Sequence, residues 1–210
     1  MMSNIVIVDY GMGNLFSLMS AFRKIGYSPT ISKSHEELTQ ADVIVLPGVG
    51  SFPKAMACIN KLGLKRIIID HANAGKKLLG ICLGHQLLFE GSEELGGAEG
   101  LGLLGGRVVS LANVAKVEMI LPHIGWRQVL SDDYDPLFAA INKDMFYFTH
   151  TFAAHPDKSY SHAITSYNSY PFCAAIKHSN IVGFQFHPEK SREAGLRLLH
   201  SSINKEAEIL

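Results

Sequence analysis

The sequence predicts an α/β fold: a mostly parallel central sheet flanked by helices, with an added antiparallel strand region. Two observations carry this. In the first part of the chain, short β-branched runs alternate with apolar residues at helical spacing, the pattern of crossovers between parallel strands. From Gly105 onward, short strand patterns follow one another. They predict an added antiparallel flank rather than a separate domain, so residues 1–210 read as one domain.

The elements follow in order. Ile5 to Val8 (IVIV) is an unbroken β-branched run, as expected of a parallel strand buried on both faces. A turn over Gly11, Met12, Gly13 and Asn14 comes next, and then Leu15, Leu18, Met19 and Phe22 repeat at helical spacing. Val43 to Leu46 is a second buried strand, stopped by Pro47-Gly48. Helical patterns lie around Lys54 to Ile59 and Leu64 to Ala74. Lys77 to Ile81 is a third strand that runs straight into Cys82 and an apolar helix over Gln86 to Glu90. The flank is predicted from Val108-Val109, Val117 to Leu121, Met145 to Phe148, His162 to Thr165, Ala174 to Ile176 and Val182 to Phe186. A helix from about Ser191 to Asn204 closes the pattern.

Composition narrows the function classes. Hydrophobic residues make up 47% and charged residues 18%, the balance of a globular protein rather than a disordered one. Lys plus Arg is 19 and Asp plus Glu is 19, so no basic footprint points to nucleic acid or to a membrane surface. Apolar runs are broken by Gly, Pro or charge before they could span a bilayer. The first residues lack the basic region of a signal peptide. Cys58, Cys82 and Cys173 form no disulfide framework and no zinc spacing. They predict free thiols in a reducing, cytoplasmic compartment, with neither metal nor cofactor.

Three motifs carry chemistry. Gly80-Ile81-Cys82-Leu83-Gly84-His85-Gln86 sets a cysteine between a strand and a helix with glycine on either side. That is the architecture of a nucleophile elbow, in which tight backbone packing holds the nucleophile in strained geometry. A helix N-terminus beneath the sulfur favours thiolate and offers N–H groups to an oxyanion. Gly183-Phe184-Gln185-Phe186-His187-Pro188-Glu189 ends a strand in a histidine with a carboxylate two residues on. A cysteine nucleophile needs a base, and the base needs an orienting partner. Leu46-Pro47-Gly48-Val49-Gly50-Ser51-Phe52 is a Gly-rich turn after a buried strand. It can aim N–H groups at developing negative charge, and no G-K-[ST] follows to make it a phosphate loop. A Cys at a strand end or an H-x-E alone is commonplace. Their occurrence at two strand termini of one parallel sheet is what makes a site, because such termini collect on one edge.

With these three motifs together the sequence resembles the class I, triad-type glutamine amidotransferases. Within that family it most resembles the glutaminase subunits of imidazole glycerol phosphate synthases. The matching stretches are Val8 to Asn14 (VDYGMGN), Leu46 to Phe52 (LPGVGSF), Leu79 to Glu94 (LGICLGHQLLFEGSEE), Pro122 to Trp126 (PHIGW) and Gly183 to Ser191 (GFQFHPEKS), which span nearly the whole chain. The resemblance implies a flavodoxin-like fold with Cys82 as nucleophile, His187 as general base and acid, and Glu189 as its orienter. It implies an oxyanion hole at Leu83, Val49 and Gly50, and L-glutamine contacts at Gln86, Gly48, Thr151 and Phe152. It also implies a heterodimer with a (β/α)₈ cyclase that receives the ammonia, near Gly11, Met12, Asn14, Pro122, Trp126, Arg127, Tyr147 and Lys190. The same motifs also fit paralogues that feed ammonia to sugar-modifying enzymes of polysaccharide synthesis, or a free-standing γ-glutamyl hydrolase. The chain departs from the family pattern at His85, usually Met, at Arg127, usually Asn, at Phe152, often Tyr, and in a C-terminal helix without the usual aromatic ending.

Overall fold

The computed structural model describes residues 3–115, 118–131, 135–157 and 160–204. The parallel half contains β1 (Ile5–Val8), α1 (Leu15–Lys24), β2 (Thr30–Ser32), α2 (His35–Gln40), β3 (Val43–Leu46), α3 (Phe52–Lys61), α4 (Leu64–Asn73), β4 (Lys77–Ile81) and α5 (Leu83–Leu87). Then come β5 (Phe89–Ser92), β6 (Ala98–Glu99), β7 (Leu104–Ser110), α6 (Leu111–Ala115), β8 (His123–Gln128), β9 (Leu130–Ser131) and α7 (Pro136–Ala139). The chain continues through β10 (Met145–His150), β11 (Phe152–Pro156), β12 (Ser161–Tyr167), β13 (Tyr170–His178), β14 (Ile181–Phe184) and α8 (Arg192–Ile203).

Among the described residues the main sheet runs β2-β1-β3-β4-β14-β13-β12-β9. The strands from β2 through β14 pair in parallel. From β14 outward, β13, β12 and β9 pair antiparallel. Of the predicted flank, β12 and β13 extend the parallel sheet, whereas β7 and β10 lie outside it. Two smaller sheets, β11-β7-β5-β6 and β10-β8, complete the strand-rich part.

The layering follows from the two-residue period of a strand. Ile5, Ile7, Val43, Val45, Leu79 and Ile81 point to one face and join the core cluster with α1 and α8. Val6, Val8, Ile44, Leu46 and Leu78 point to the other, with α3 and α4. An unbroken apolar run is needed because both faces are covered, and each fully buried side chain contributes roughly 1.5–3 kcal/mol.

Several expected elements move. The helix expected over Gln86 to Glu90 is instead α5, five residues long and already complete at Leu87. Phe89 to Ser92 then pairs as β5 with β7 and β6. Gly91 permits this because its missing Cβ leaves room for Ala98 O. Of the strand expected over Val117 to Leu121, Val117 lies outside the described residues, and 118–121 carry no strand. Pairing begins past Pro122, where β8 runs antiparallel to β10 from His123 opposite His150 to Gln128 opposite Met145. The apolar run has strand propensity, but the cross-strand partner decides the register. Helix α2 was unmarked by periodicity, although Ser34 accepts from Glu37 N–H as its N-cap, the local signal that three-residue spacing carries.

Candidate active site

Three strand ends build the site. β3, β4 and β14 are parallel neighbours, with Leu46 opposite Gly80 and Ile81 opposite Phe184. Their carboxyl ends therefore deliver the Pro47–Gly50 turn, Cys82 and the Gln185–Glu189 segment side by side. The Cys82 N–H donates to Phe184 O at 2.7 Å, which pins the two catalytic-motif strands together at this edge.

Cys82 stands before α5 with φ 54° and ψ −108°. A non-glycine residue holds a positive φ only where its surroundings impose it. The surroundings here are backbone: a Cβ on Gly84 would collide with Leu46 O, and one on Gly80 with the main chain of Gly84 and His85. This close approach is the physical reason for glycine on each side of the elbow.

His187 is 2% exposed. Its N–H donates to Tyr147 O at 2.9 Å, and its carbonyl accepts from Ser191 Oγ at 2.6 Å. Its Nδ1 lies 2.8 Å from Glu189 Oε1, with both side chains 3% exposed. That bond places a ring proton on Nδ1 and leaves Nε2 as the ring nitrogen on the Cys82 side. Burial disfavours the imidazolium, but the Cys82 and Glu189 charges outweigh it and push His187 up to about 10. Nε2 closes no hydrogen bond among the described residues. Contacts of this kind tighten when substrate binds.

A cavity of about 290 Å³ opens at the sulfur, walled by Val49, Gly50, Cys82, Leu83, Gln86, Glu94, Pro122, Thr149, His150, Thr151 and Phe152. This is near the lower end of small-ligand pockets. The N–H groups of Leu83, Val49 and Gly50 donate to no acceptor among the described residues. Gln86 sends its Nε2 to Phe152 O at 2.8 Å and to Gln185 Oε1 at 3.0 Å. Gly48 is off the cavity wall: it is buried beneath it, where a Cβ would meet Tyr10 Oη and Leu83 Cβ. Thus Cys82, His187, Glu189, Leu83, Val49, Gly50, Gln86, Thr151 and Phe152 converge, and Gly48 supports the loop from below.

The residues expected at a partner surface surround the same edge. Trp126 and Tyr147 meet edge to face at 5.9 Å. Lys190 Nζ lies 5.8 Å from the Tyr147 ring, and the Arg127 guanidinium 5.3 Å from the Tyr167 ring. Asn14 caps α1 by accepting from Ser17 N–H and shares a small cleft with Pro47, Val49, His187 and Glu189. The Met12 methyl lies 2.9 Å from where a Cβ on Gly50 would be. Gly11 and Pro122 are exposed beside them.

Sequence reasoning missed several contributors. Arg192 lies 4.9 Å over the Trp126 ring. Glu94 Oε2 accepts from Phe52 N–H at 2.8 Å at the start of α3 and faces the cavity. Tyr10 Oη donates to Pro47 O at 2.7 Å, burial being the main reason its pKa is raised. Gln185, fully buried, could have been noticed as a polar residue inside the apolar run Gly183 to Phe186. Among the described residues no group of three or more His, Cys, Asp or Glu could hold a metal ion. No helix among them is long and apolar enough to cross a membrane.

Among the described residues four further histidines, His71, His85, His123 and His150, are buried, and burial favours the neutral form of each. Desolvation lowers His85 to about 3, His123 to about 4 and His150 to about 3. His123 Nδ1 and His150 Nε2 are 3.1 Å apart, whereas neither His85 nitrogen has a hydrogen-bond partner among the described residues. His85 fits because residue 183 is glycine, whose Cβ would otherwise strike the ring. The unfolded chain takes up protons near pH 6.5 and the native state does not. Stability is therefore intact above about pH 6.5 and falls as pH drops toward 3–4, by ~1.4 kcal/mol per pH unit for each such histidine. His85→Met should flatten that fall and raise Tm more at pH 5 than at pH 8. Thermal melts across this range check it; equal gains at both pH values would refute the assignment of His85 to this acid response.

The α/β fold and the glycine-framed Cys elbow facing a His–Glu pair define a class of enzyme. The family described as "Glutamine amidotransferase class-I" matches residues 6–204, and the chain belongs to it. Curated relatives carry a narrower name, "Imidazole glycerol phosphate synthase subunit HisH". That of Sulfurimonas denitrificans is 42% identical, covering 94% of this chain and 96% of the relative. That of Aquifex aeolicus is 42% identical over 95% of this chain and 96% of the relative. That of Syntrophotalea carbinolica is 40% identical over 93% and 97%. At this identity and coverage the chain belongs to the HisH branch of the family. Solved structures share the fold: PurLQS from Thermotoga maritima, with TM-score 0.71 and 20% identity over 97% of this chain and 99% of that one. The glutaminase domain of Trypanosoma brucei CTPS with bound acivicin has TM-score 0.65 and 15% identity over 96% and 94%.

Proposed function

We propose that this chain is the glutaminase subunit of an imidazole glycerol phosphate synthase. It hydrolyses L-glutamine to glutamate and ammonia, and ammonia passes to a (β/α)₈ cyclase that makes imidazole glycerol phosphate and AICAR in histidine biosynthesis. The observation that carries this is the convergence of Cys82, the His187–Glu189 pair and unpaired N–H groups on one small cavity, in a chain about 40% identical to HisH relatives.

In this reading His187 Nε2 takes the Cys82 proton, and the imidazolium is held by Glu189 through Nδ1. The thiolate attacks the glutamine carboxamide carbon, and the N–H groups of Leu83 and of Val49 or Gly50 receive the oxyanion. His187 returns the proton to the leaving amine, ammonia departs, and water delivered through His187 cleaves the thioester to release glutamate. Gln86, Thr151 and Phe152 hold the substrate. Glutamine-dependent synthesis of imidazole glycerol phosphate with a purified cyclase and its acceptor nucleotide tests the proposal; product formed only from added ammonium, never from glutamine, would overturn it.

The roles separate by mutation. His187→Ala should reduce kcat about 10⁴-fold or more, because base and acid are lost together. Glu189→Gln should reduce it by less, since the amide preserves shape and still contacts the ring while losing the charge. Steady-state ammonia release by each variant in the complex measures both, and the reverse order of damage would reverse the roles.

A further inference from the structure

Gln185 is fully buried just past the end of β14, next to the Cys82 sulfur. Hydrogen-bond logic leaves its side chain one orientation. Phe152 O can only accept, so the Gln86 atom 2.8 Å from it is the NH₂. The same nitrogen lies 3.0 Å from the Gln185 side chain, and its second hydrogen needs an acceptor there, which is Gln185 Oε1. The Gln185 NH₂ is left facing Cys82 Sγ at 4.0 Å. Phe152 O also accepts from His150 Nδ1 at 2.9 Å, so the anchor of this series is held by two donors.

We propose that Gln185 is a catalytic residue of the glutaminase reaction: its side-chain amide, turned donor-first by Gln86, stabilises the Cys82 thiolate. The inference rests on Cys82 being the nucleophile. Besides His187, the sulfur has two polar neighbours of opposite effect. Thr149 O, at 3.9 Å, accepts from the S–H and so favours the thiol. The Gln185 N–H favours the thiolate, because a hydrogen bond to the charged form stabilises that form. When the proton leaves Sγ for His187 Nε2, the Thr149 contact turns repulsive and the Gln185 contact shortens. Gln185 gives up no proton and forms no covalent bond at any step. A carbonyl in its place would set a second partial negative charge against the anion, which is why Gln86 must fix the amide's direction.

The test is the pH dependence of iodoacetamide alkylation at Cys82 in the full chain, read by peptide mass. Gln185→Met keeps the volume and removes the donor. Gln185→Glu keeps an acceptor for Gln86 and turns a carboxylate to the sulfur. Alkylation of Cys82 on the acidic side should slow about tenfold in Gln185→Met and further in Gln185→Glu, the loss expected when one hydrogen bond to the thiolate is removed. In the complex, kcat should fall in parallel at neutral pH and recover as pH rises, with little change in KM for glutamine. Should the Glu variant not fold, the Met variant carries the comparison alone. Superimposable alkylation profiles for the folded variants and wild type overturn the proposal. If wild-type Cys82 can be alkylated without loss of glutaminase activity, the nucleophile reading falls, and this proposal with it.

Discussion

Cys82→Ser is expected to lower glutamine hydrolysis by about 10⁴-fold or more while leaving the fold intact. The substitution is nearly isosteric at a site where φ is 54° and the side chain is buried, so packing of β4 and α5 is preserved. What is lost is the thiolate. A serine hydroxyl beside the same imidazole ionises far less readily, and the oxyanion donors cannot compensate for a missing nucleophile. A glutamine-analogue electrophile should label Cys82 alone. Cys173 is also buried, but desolvation pushes its thiol up to about 12, which leaves it inert. Cys58 lies outside the cavity lining. Ammonia release, circular dichroism and peptide mass together check the prediction. Wild-type rates in the mutant, or labelling at Cys58 or Cys173, would remove Cys82 from the reaction.

The second large effect is partner dependence. The chain by itself is expected to turn over glutamine about 10²–10³-fold more slowly than in complex with an acceptor-loaded barrel cyclase, the worth of one oxyanion donor. The Pro47–Gly50 turn has the parts for such a switch. Tyr10 anchors Pro47 O at 2.7 Å, so movement is confined to the residues beyond it. Gly50 has φ +100° and abuts the Met12 methyl, and Val49 is 41% exposed. A flip of the peptide that carries the Val49 N–H is eased by Gly48 and Gly50 on either side, which absorb the dihedral change at low steric cost. A partner seated on Gly11 to Asn14 presses on Met12 and so on Gly50. It activates only if it binds the flipped peptide more tightly than the resting one. Steady-state glutaminase rates of the chain alone and with cyclase plus acceptor measure the effect. Equal rates, with the complex shown to form, would eliminate the switch.

Local signals made the centre of the site legible. Gly80-Ile81-Cys82-Leu83-Gly84 announces an elbow because strand, turn and helix lie within a few residues of one another. The His187–Glu189 contact spans two residues, and its bond at 2.8 Å is equally local. The buried strands β1, β3 and β4 were readable because a strand covered on both faces has no polar positions. Misplaced elements lie where local preference competes with distant pairing: β5 took residues of helical pattern, and β8 began only past Pro122.

By itself, then, the sequence determined the parallel sheet, the elbow, the histidine–carboxylate pair and the Gly-rich turn, since each is specified by neighbours in the chain. Only the tertiary structure decided that Gln185, 103 residues from Cys82, presents its amide to the sulfur, that Arg192 lies over Trp126, and that His85 fills the space beside Gly183. These contacts join strand ends and loops far apart in sequence. Their geometry is set by sheet order and register, which arise from the simultaneous burial of many strands and are written in no single segment.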